Sequence, residues 1–231
     1  WLPKMASGET IGAIGMSEPS GGSDLQNITT RAERSGDEYV INGQKIFITN
    51  GMMCDLLILA AKTDRAARKN GISLVLVEAD RPGFVKGRAL DKIGTHAQDT
   101  AELFFDNVRV PTTNLLGEEG QGFKMLMTKL AQERLAQAVR STTVCEAAID
   151  WTVAYTRDRK AFGTTISAFQ NTQFVLAQLS AETTSLRVFI DWCIARFLDG
   201  QLSPIDAATV KLLSTELQAK VVDQCLQLFG G

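Results

Sequence analysis

Short apolar runs separated by turn residues extend from about residue 12 to residue 110, a pattern typical of a β-rich domain. Between residues 38 and 48, two such runs flank Asn42-Gly43. This pair tolerates the positive φ angles of a type I′ turn, so a β-hairpin is predicted there. Five or more strands would close into a barrel or pack as a small sandwich. The other predicted strands cover residues 11–16, 56–61, 72–78 and 101–105.

The apolar positions change to a helical period from Gly122 onward, and few prolines interrupt it. The first helical stretch carries an apolar face down to Leu135. Three further helices are predicted over residues 143–156, 171–198 and 204–228. The pattern therefore predicts an α+β multidomain fold, with a β-barrel or sandwich domain over residues 1–116 and an antiparallel helical bundle over residues 117–231.

The formal net charge is −2, with acidic and basic residues interspersed. No electrostatic footprint for nucleic acid or for an anionic membrane surface is therefore present. No apolar run approaches the roughly 20 residues that span a bilayer, and Trp1-Leu2-Pro3 resembles no signal peptide. The absence of a starting Met and the ending at Gly230-Gly231 suggest an internal fragment.

Cysteine and histidine usage narrows the possible chemistry. Cys54, Cys145, Cys193 and Cys225 are widely spaced and have no histidine cluster beside them, so neither a disulfide framework nor a metal site is indicated. They are expected to be reduced and partly buried. Because His96 is the only histidine, Ser-His-Asp and Cys-His schemes are excluded within this segment. Proton chemistry must use a carboxylate, Lys, Tyr or Cys.

Two polar segments are candidates for ligand binding. Residues 17–24 form a loop rich in glycine and hydroxyl groups, which suits a phosphate or a flavin edge, although composition alone favours an ordinary turn. Residues 157–163 place two arginines beside Phe162 at a helix end closed by Gly163, which suits a pyrophosphate and an adenine ring. A helix terminus whose basic residues complement the dipole is the plainer alternative.

Six motifs together resemble the acyl-CoA dehydrogenase family, in the family's order and at its spacings. They are Glu18-Pro19-x-x-Gly22-Ser23-Asp24, Asn42-Gly43-x-Lys45-x-Phe47-Ile48-Thr49-Asn50-Gly51, Asp106-Asn107-Val108-Arg109-Val110-Pro111, Leu116-Gly117-x-x-Gly120-x-Gly122-Phe123, Arg159-Lys160-x-Phe162-Gly163 and Gln227-x-x-Gly230-Gly231. The resemblance covers essentially the whole chain. It implies a middle β domain and a C-terminal helical bundle with FAD between them, and an N-terminal helical domain outside this sequence.

The resemblance also implies where the flavin lies. The family holds it without a Rossmann fold, and no strand followed by GxGxxG occurs here. Ser17, in a place where threonine is more usual, is expected to bond the polar edge of the isoalloxazine. Ser23 is expected near the flavin pyrophosphate and the substrate pantetheine. The full set expected along the ring is Ile14, Met16, Ser17, Phe47, Ile48 and Thr49, with Phe47 replacing the more usual tryptophan.

A second set of residues is expected to face the adenosine part of FAD on a neighbouring subunit. This implies a homo-oligomer, usually a tetramer or dimer, and poor flavin binding by an isolated protomer. The members of this set are Arg159, Phe162, Gln170, Gln227 and Gly231.

The family reaction needs a base at the α carbon of an acyl-CoA and a hydride acceptor at the β carbon. A subset that resembles the long-chain and isovaleryl enzymes carries its glutamate just before an arginine on a bundle helix. Glu133 occupies that place here. Gln132 and Arg134 are expected to help hold the substrate. The run of residues 92–105 also looks closest to the long-chain subgroup, with His96 as a surface loop residue.

Several alternatives stay open at this level. Glu133 is also explained as a surface glutamate one turn after Lys129, and many family members place the base in a segment that would follow Gly231. Electrons would pass to an electron-transfer flavoprotein, or to oxygen in an acyl-CoA oxidase. A non-catalytic scaffold with the same fold is a further alternative. Both a bacterial cytoplasm and a mitochondrial matrix fit.

Overall fold

A computed structural model describes residues 1–230, and within them the chain forms two compact units that divide between Leu126 and Met127. The domain boundary after residue 116 stays a prediction; the last strand of the first unit ends at Leu116, ten residues before the division between the units. In the described part of the chain, no helix is long and apolar enough to cross a membrane. The same residues contain no cluster of three or more His, Cys, Asp or Glu side chains suited to a metal ion.

The first unit is built on one mixed sheet. Its hydrogen-bonded order is β6-β7-β3-β2-β4-β5-β8, and β1 joins it by pairing in parallel with β4. A short helix, α1 (Leu2–Ser7), precedes the sheet. The strands are β1 (Gly12–Gly15), β2 (Arg31–Ser35), β3 (Glu38–Thr49), β4 (Leu56–Lys62), β5 (Ile72–Glu78), β6 (Phe84–Ala89), β7 (Thr100–Pro111) and β8 (Leu115–Leu116).

One large apolar cluster joins residues from both ends of the sheet. Phe84 on β6 and Leu115 on β8 belong to the same packed cluster, although their strands are at opposite ends of the sheet. Strands lie about 4.8 Å apart, so the ends of a flat sheet with this order would be roughly 29 Å from each other. Buried residues of strands that are far apart in this order thus share one cluster, which agrees with the predicted barrel or sandwich. Tyr39, Ile41 and Leu103 fill the middle of this core.

The predicted hairpin turn at Asn42-Gly43 is wrong, because β3 continues through it as one strand of 12 residues. The pair forms a bulge, with a register shift against β7 between Ile41 and Gly43. The hairpin lies earlier, where Ser35 pairs with Glu38 and Gly36 has a φ of 63°. Glycine is needed at 43 because a Cβ there would stand 2.5 Å from Thr30 Oγ1. Asn-Gly therefore marks a close approach of two backbone segments here.

The second unit is dominated by three long helices. They are α2 (Gly122–Asp158), which begins just before the division between the units, α3 (Gln170–Leu198) and α4 (Pro204–Phe229). The two helices predicted over residues 122–156 are thus one continuous helix of 37 residues. As predicted, α4 begins at Pro204, and the Ser203 hydroxyl caps it by accepting from the Asp206 N–H at 3.0 Å.

Two apolar clusters show how these helices run. One cluster joins Leu135 of α2 to Ile190 of α3 and Val210 of α4. A second cluster joins residues later in α2 to earlier residues of α3 and later residues of α4, namely Ile149, Leu179 and Val221. Helix α3 is therefore antiparallel to the other two, as predicted. All four cysteines are buried and unpaired, which agrees with the expectation of reduced thiols.

Substitution of Gly43 tests the bulge. Gly43→Ala is expected to lower the free energy of unfolding by about 2–3 kcal/mol, because the packed Thr30 backbone cannot give way. The control is Gly36→Ala, where the φ is also positive but no atom lies within 4 Å, and strain alone costs about 1 kcal/mol. Urea unfolding of both variants measures the difference. Equal losses would contradict the close approach described for Gly43.

Candidate functional site

Strand β1 lies beside the second half of β3. The Ile46 N–H donates to the Ser17 carbonyl oxygen at 3.0 Å, and the Asn50 side-chain amide donates to the Gly12 carbonyl oxygen at 3.4 Å. Because Ser17 faces Ile46 while Gly12 faces Asn50, the two segments run in opposite directions. Outward-facing side chains of both segments therefore share one surface of the sheet.

That surface is called the β1–β3 face below, and it consists of Ile14, Ser17, Phe47 and Thr49. Ile14 is 48 % exposed and Phe47 is 65 % exposed, although both are large apolar side chains. Thr49 is also exposed, and Ser17 is half-buried. A pair of exposed apolar side chains beside two hydroxyl groups suits a flat heteroaromatic ring with a polar edge.

The other flavin candidates of the first unit differ in what they present. Ile48 is only 2 % exposed and lies in the core, so any ligand contact there must come from its backbone. Met16 is partly buried and packs against a smaller apolar cluster beneath the strand. Ser23 is exposed in the loop after β1. The structure thus brings Ile14, Ser17 and Thr49 to one surface but turns the Ile48 side chain away from it.

Phe47 holds a strained backbone conformation. Its φ is 60°, in the left-handed region that bulky residues rarely adopt. The strain coincides with a second irregularity of β3, a register shift against β7 between Lys45 and Ile48. Such conformations cost on the order of 1–3 kcal/mol and concentrate at functional sites. Here the bulge leaves the aromatic ring exposed while Ile48 beside it stays in the core.

A buried ion pair lies directly beneath this surface. Lys45 Nζ lies 3.0 Å from Glu18 Oε1, and the two side chains are 0 % and 1 % exposed. The ammonium also donates to the Met16 carbonyl oxygen at 3.0 Å. Glu18 Oε2 accepts from the Thr29 N–H at 2.6 Å and from the Thr29 hydroxyl at 2.7 Å, and Oε1 accepts from the Thr30 N–H at 2.9 Å. The pair therefore ties the segment that carries Ser17 to two other parts of the unit.

The two charges of this pair stabilise each other against burial. Burial opposes the charge of Glu18, but Lys45 and the hydrogen bonds from Thr29 and Thr30 outweigh it and hold the pKa of Glu18 at about 2. Burial lowers the pKa of Lys45 to about 8, although Glu18 acts in the opposite direction. Both groups are thus charged at neutral pH, and neither of them had a role predicted from the sequence.

The loop after β1 is tightly closed. The Glu18 N–H donates to the Gly21 carbonyl oxygen at 3.3 Å, and the Gly21 N–H donates to the Glu18 carbonyl oxygen at 2.9 Å, so that Pro19 and Ser20 form the turn between them. A Cβ placed on Gly22 would stand 3.5 Å from the Ser17 hydroxyl oxygen. Within residues 1–230 that hydroxyl bonds no other group. A half-buried hydroxyl without a protein partner beside an open glycine is consistent with a ligand acceptor or donor at this point.

The residues expected to face adenosine gather at one end of the second unit. The end of α2, the start of α3 and the end of α4 meet there, since α3 runs opposite to the other two helices. The ring of Tyr155 stacks on Phe229 at 4.2 Å, and its hydroxyl donates to the Phe229 carbonyl oxygen at 3.1 Å. This contact, which the sequence pattern did not indicate, joins the last turn of α4, which carries Gln227, to the end of α2, just before Arg159. Gln170 begins α3 and is exposed at the same end.

The segment around Phe162 is a small hairpin, not the glycine-closed helix end that was predicted. Helix α2 ends at Asp158, and β9 (Lys160–Ala161) pairs with β10 (Thr164–Thr165). Phe162 and Gly163 form the turn with φ angles of 54° and 81°, as a type I′ turn requires. The Phe162 ring is 96 % exposed at the tip. Gly231, the last member of the adenosine-facing set, lies outside the described residues.

The candidate base and its neighbours lie on α2. Gln132 and Glu133 are exposed, Arg134 is half-buried, and Leu135 enters the core of the second unit. Among the residues that the structure describes, Glu133 forms no ion pair. The alternative of a salt bridge to Lys129 is therefore not seen. His96, on the first unit, is exposed in a loop and accepts from the Gly94 N–H, as expected for a surface residue.

Known families account for nearly all of the chain. Residues 13–108 match the family described as acyl-CoA dehydrogenase, middle domain, and residues 120–231 match acyl-CoA dehydrogenase, C-terminal domain. The chain belongs to the acyl-CoA dehydrogenase family. The predicted fold class, a β domain followed by a helical domain, is confirmed.

Individual relatives resemble the chain along its full length. The mitochondrial long-chain specific acyl-CoA dehydrogenase of Rattus norvegicus is 47 % identical over 233 residues, covering 100 % of this chain and 54 % of the relative. The mitochondrial isovaleryl-CoA dehydrogenase of Oryza sativa subsp. japonica is 41 % identical over 232 residues, covering 100 % of this chain and 56 % of the relative. The chain thus spans about half the length of the curated relatives that it matches.

A crystal structure of an acyl-CoA dehydrogenase from Geobacillus kaustophilus is similar as well. It matches with a TM-score of 0.97 and 48 % identity, and the match covers 100 % of this chain and 61 % of that one.

The buried pair makes a testable contribution to stability. Glu18→Gln is expected to lower the free energy of unfolding by about 3 kcal/mol at pH 7, because it leaves the Lys45 charge buried without its partner. The pKa of Glu18 is lowered in the folded state, so its contribution is complete above about pH 4.5 and is lost as the pH falls through about 2. The gap between wild type and variant should therefore shrink by about half at pH 3.

Urea unfolding at several pH values measures this gap, and Glu33→Gln is the matched control because Glu33 forms only exposed ion pairs. A gap that stays constant from pH 7 to pH 3 would contradict the assignment of the stabilising charge to Glu18.

Proposed function

We propose that the protein is an FAD-dependent dehydrogenase that removes hydrogens from the α and β carbons of acyl-CoA thioesters to give trans-2-enoyl-CoA. The observation that carries this proposal is the 47 % identity, along the entire chain, to a long-chain specific acyl-CoA dehydrogenase. Both relatives described above are named as acyl-CoA dehydrogenases, of long-chain and isovaleryl type. The proposed substrate class is therefore a long-chain or branched acyl-CoA.

In this proposal, the β1–β3 face holds the isoalloxazine ring of FAD. Exposed Ile14 and Phe47 support this role, since they offer apolar surface that water would otherwise contact. The Ser17 hydroxyl, which has no partner in residues 1–230, is assigned to the polar edge of the ring. Ser23 is assigned to the pyrophosphate and to the substrate pantetheine.

The end of the second unit is assigned to the FAD of a neighbouring subunit. The exposure of Phe162 at a hairpin tip supports this assignment, because an aromatic ring with 96 % of its surface exposed contributes little to the packing of its own chain. Arg159 would supply charge for a pyrophosphate, and Gln170 and Gln227 would supply hydrogen bonds. The proposal therefore includes a homo-oligomer, in the form of a tetramer.

Glu133 is the proposed base. Its carboxylate would accept the α proton of the substrate, and Gln132 and Arg134 would orient the acyl thioester beside it. When bound, FAD supplies the hydride acceptor for the β carbon. Exposure of Glu133 without an ion pair supports the role, because an acid held in a salt bridge is a poorer base.

The remaining parts of the proposal concern the setting of the enzyme. Electrons would leave to an electron-transfer flavoprotein, and the protein would work in a bacterial cytoplasm or a mitochondrial matrix. The two settings are supported by one relative from a mammalian mitochondrion and another from a bacterium.

The test is anaerobic bleaching of bound flavin by an acyl-CoA series in the full-length protein. Glu133→Gln is expected to reduce the bleaching rate by at least about 10³-fold with FAD content unchanged, because no group remains to accept the α proton. Glu216→Gln, an exposed glutamate on α4, serves as the matched control and should bleach at the wild-type rate.

Each outcome has a defined meaning. Undiminished bleaching in Glu133→Gln would remove Glu133 from the role of base, and no bleaching of the wild type by any acyl-CoA would overturn the dehydrogenase proposal. The chain length that bleaches fastest identifies the preferred substrate. If hydrogen peroxide forms in stoichiometric amounts during aerobic turnover, the electron acceptor is oxygen and not an electron-transfer flavoprotein.

A further inference from the structure

The Lys45 ammonium lies behind the peptide bond that joins Met16 to Ser17. Its Nζ donates to the Met16 carbonyl oxygen at 3.0 Å and to Glu18 Oε1 at 3.0 Å. The Lys45 side chain is fully buried. The positive charge, with Glu18 as its counter-charge, therefore acts on this one peptide group without being screened by water.

The orientation of that peptide bond follows from its geometry. The chain contains no cis peptide bonds in its described part, so the Met16 C=O and the Ser17 N–H point in opposite directions. Because the C=O points to the buried ammonium, the N–H points away from the core and toward the β1–β3 face. Within residues 1–230 the Ser17 N–H donates to no acceptor, whereas the Ser17 C=O is held by the Ile46 N–H.

We propose that Lys45 is a positioning residue for the flavin, which polarises the Met16–Ser17 peptide and aims the Ser17 N–H and hydroxyl at the polar edge of the isoalloxazine. This inference rests on the proposed function. A cation behind the peptide makes its N–H a stronger donor, as for other charge-assisted hydrogen bonds. The ring gains negative charge when it is reduced, so such a donor favours the reduced state. Lys45 therefore raises both the affinity for FAD and its reduction potential.

Glu18 has a different task in this arrangement. It touches neither the Met16 carbonyl nor the outward N–H, and its oxygens are occupied by Lys45, Thr29 and Thr30. It keeps the ammonium charged and in place. Glu18 thus acts on stability, whereas Lys45 acts on stability and on the flavin, and the two roles are separable by experiment.

The test compares full-length wild type with Glu18→Gln, with the double variant Glu18→Gln/Lys45→Met, and with a matched lysine control. The control is Lys62→Met, because Lys62 is also buried in the sheet and donates to a carbonyl oxygen, that of Arg68, at 2.7 Å. Three quantities are measured: the free energy of unfolding in urea, the dissociation constant of FAD, and the midpoint potential of bound FAD from titration against reference dyes.

The double variant is expected to recover most of the stability that Glu18→Gln loses, because replacing both members of a buried pair leaves no unpaired charge. It should nevertheless bind FAD about tenfold more weakly than wild type and hold it at a lower potential. Lys62→Met should leave both flavin properties unchanged.

A stable double variant with the wild-type affinity for FAD and the wild-type midpoint potential would overturn the inference. The role of the pair would then be structural only. The inference would also be overturned if Lys62→Met shifted the flavin properties as much as the double variant. A wild-type protein that binds no FAD would instead contradict the proposed function itself, so the two failures are distinguishable.

Discussion

The buried ion pair between Glu18 and Lys45 is the interaction on which the candidate site of the first unit depends most. An isolated charge of either sign at these positions would be costly, since both side chains are almost completely removed from water. The pair is tolerated because further hydrogen bonds support both charges: Thr29 and Thr30 donate to the carboxylate, and the Met16 carbonyl accepts from the ammonium. Apolar residues of similar volume would hold the sheet together as well, so the pair is best understood through what it positions.

What it positions is a short stretch of β1 and the loop that follows. The pair lies beneath Ser17, and β3 has a bulge on either side of Lys45. The bulge after Lys45 leaves Phe47 exposed, and the bulge at Gly43 lets the Thr30 backbone pack closely against β3. The strain at Phe47 and the close approach at Gly43 are therefore local consequences of the same arrangement. The result is an exposed surface of mixed apolar and hydroxyl character on a rigid sheet, which is the kind of surface that a flavin ring requires.

The second unit obeys a simpler constraint. Its three helices alternate in direction, so the residues that follow α2, begin α3 and end α4 must meet at one end whatever their sequence separation. Stacking of Tyr155 on Phe229 fixes that end. The hairpin around Phe162 lies at this same end of the unit, and its positively charged and aromatic residues form an exposed tip.

Hydrophobic periodicity predicted α3, α4 and five of the eight strands of the first unit, but it divided α2 into two helices and did not indicate α1, β2, β6 or β8. The helices α3 and α4 begin and end within one residue of the predicted bounds, because their apolar faces and caps are local signals. The Asn42-Gly43 bulge was not predictable in this way, since the need for glycine arises from Thr30, which is distant in sequence. The hairpin at Phe162 resembled a helix end because its glycine follows basic residues.

The candidate site also contains residues that the sequence indicated and residues whose role only the structure shows. Family motifs indicated Ser17, Phe47 and Thr49, but the roles of Glu18 and Lys45 depend on which side of a strand faces the core. A lysine among the apolar residues of β3 was a signal for a buried charge, and the glutamate of the Glu-Pro motif was the missing partner. Neither spacing nor composition joins the two, because 27 residues separate them.

The most direct test of this account is a crystal structure of the full-length protein with FAD bound. The isoalloxazine is expected to lie against Ile14 and Phe47, with its polar edge within about 3 Å of the Ser17 N–H or hydroxyl, and with Lys45 still bonded to the Met16 carbonyl. A ring bound elsewhere, or a β1–β3 face covered by other parts of the polypeptide, would contradict it.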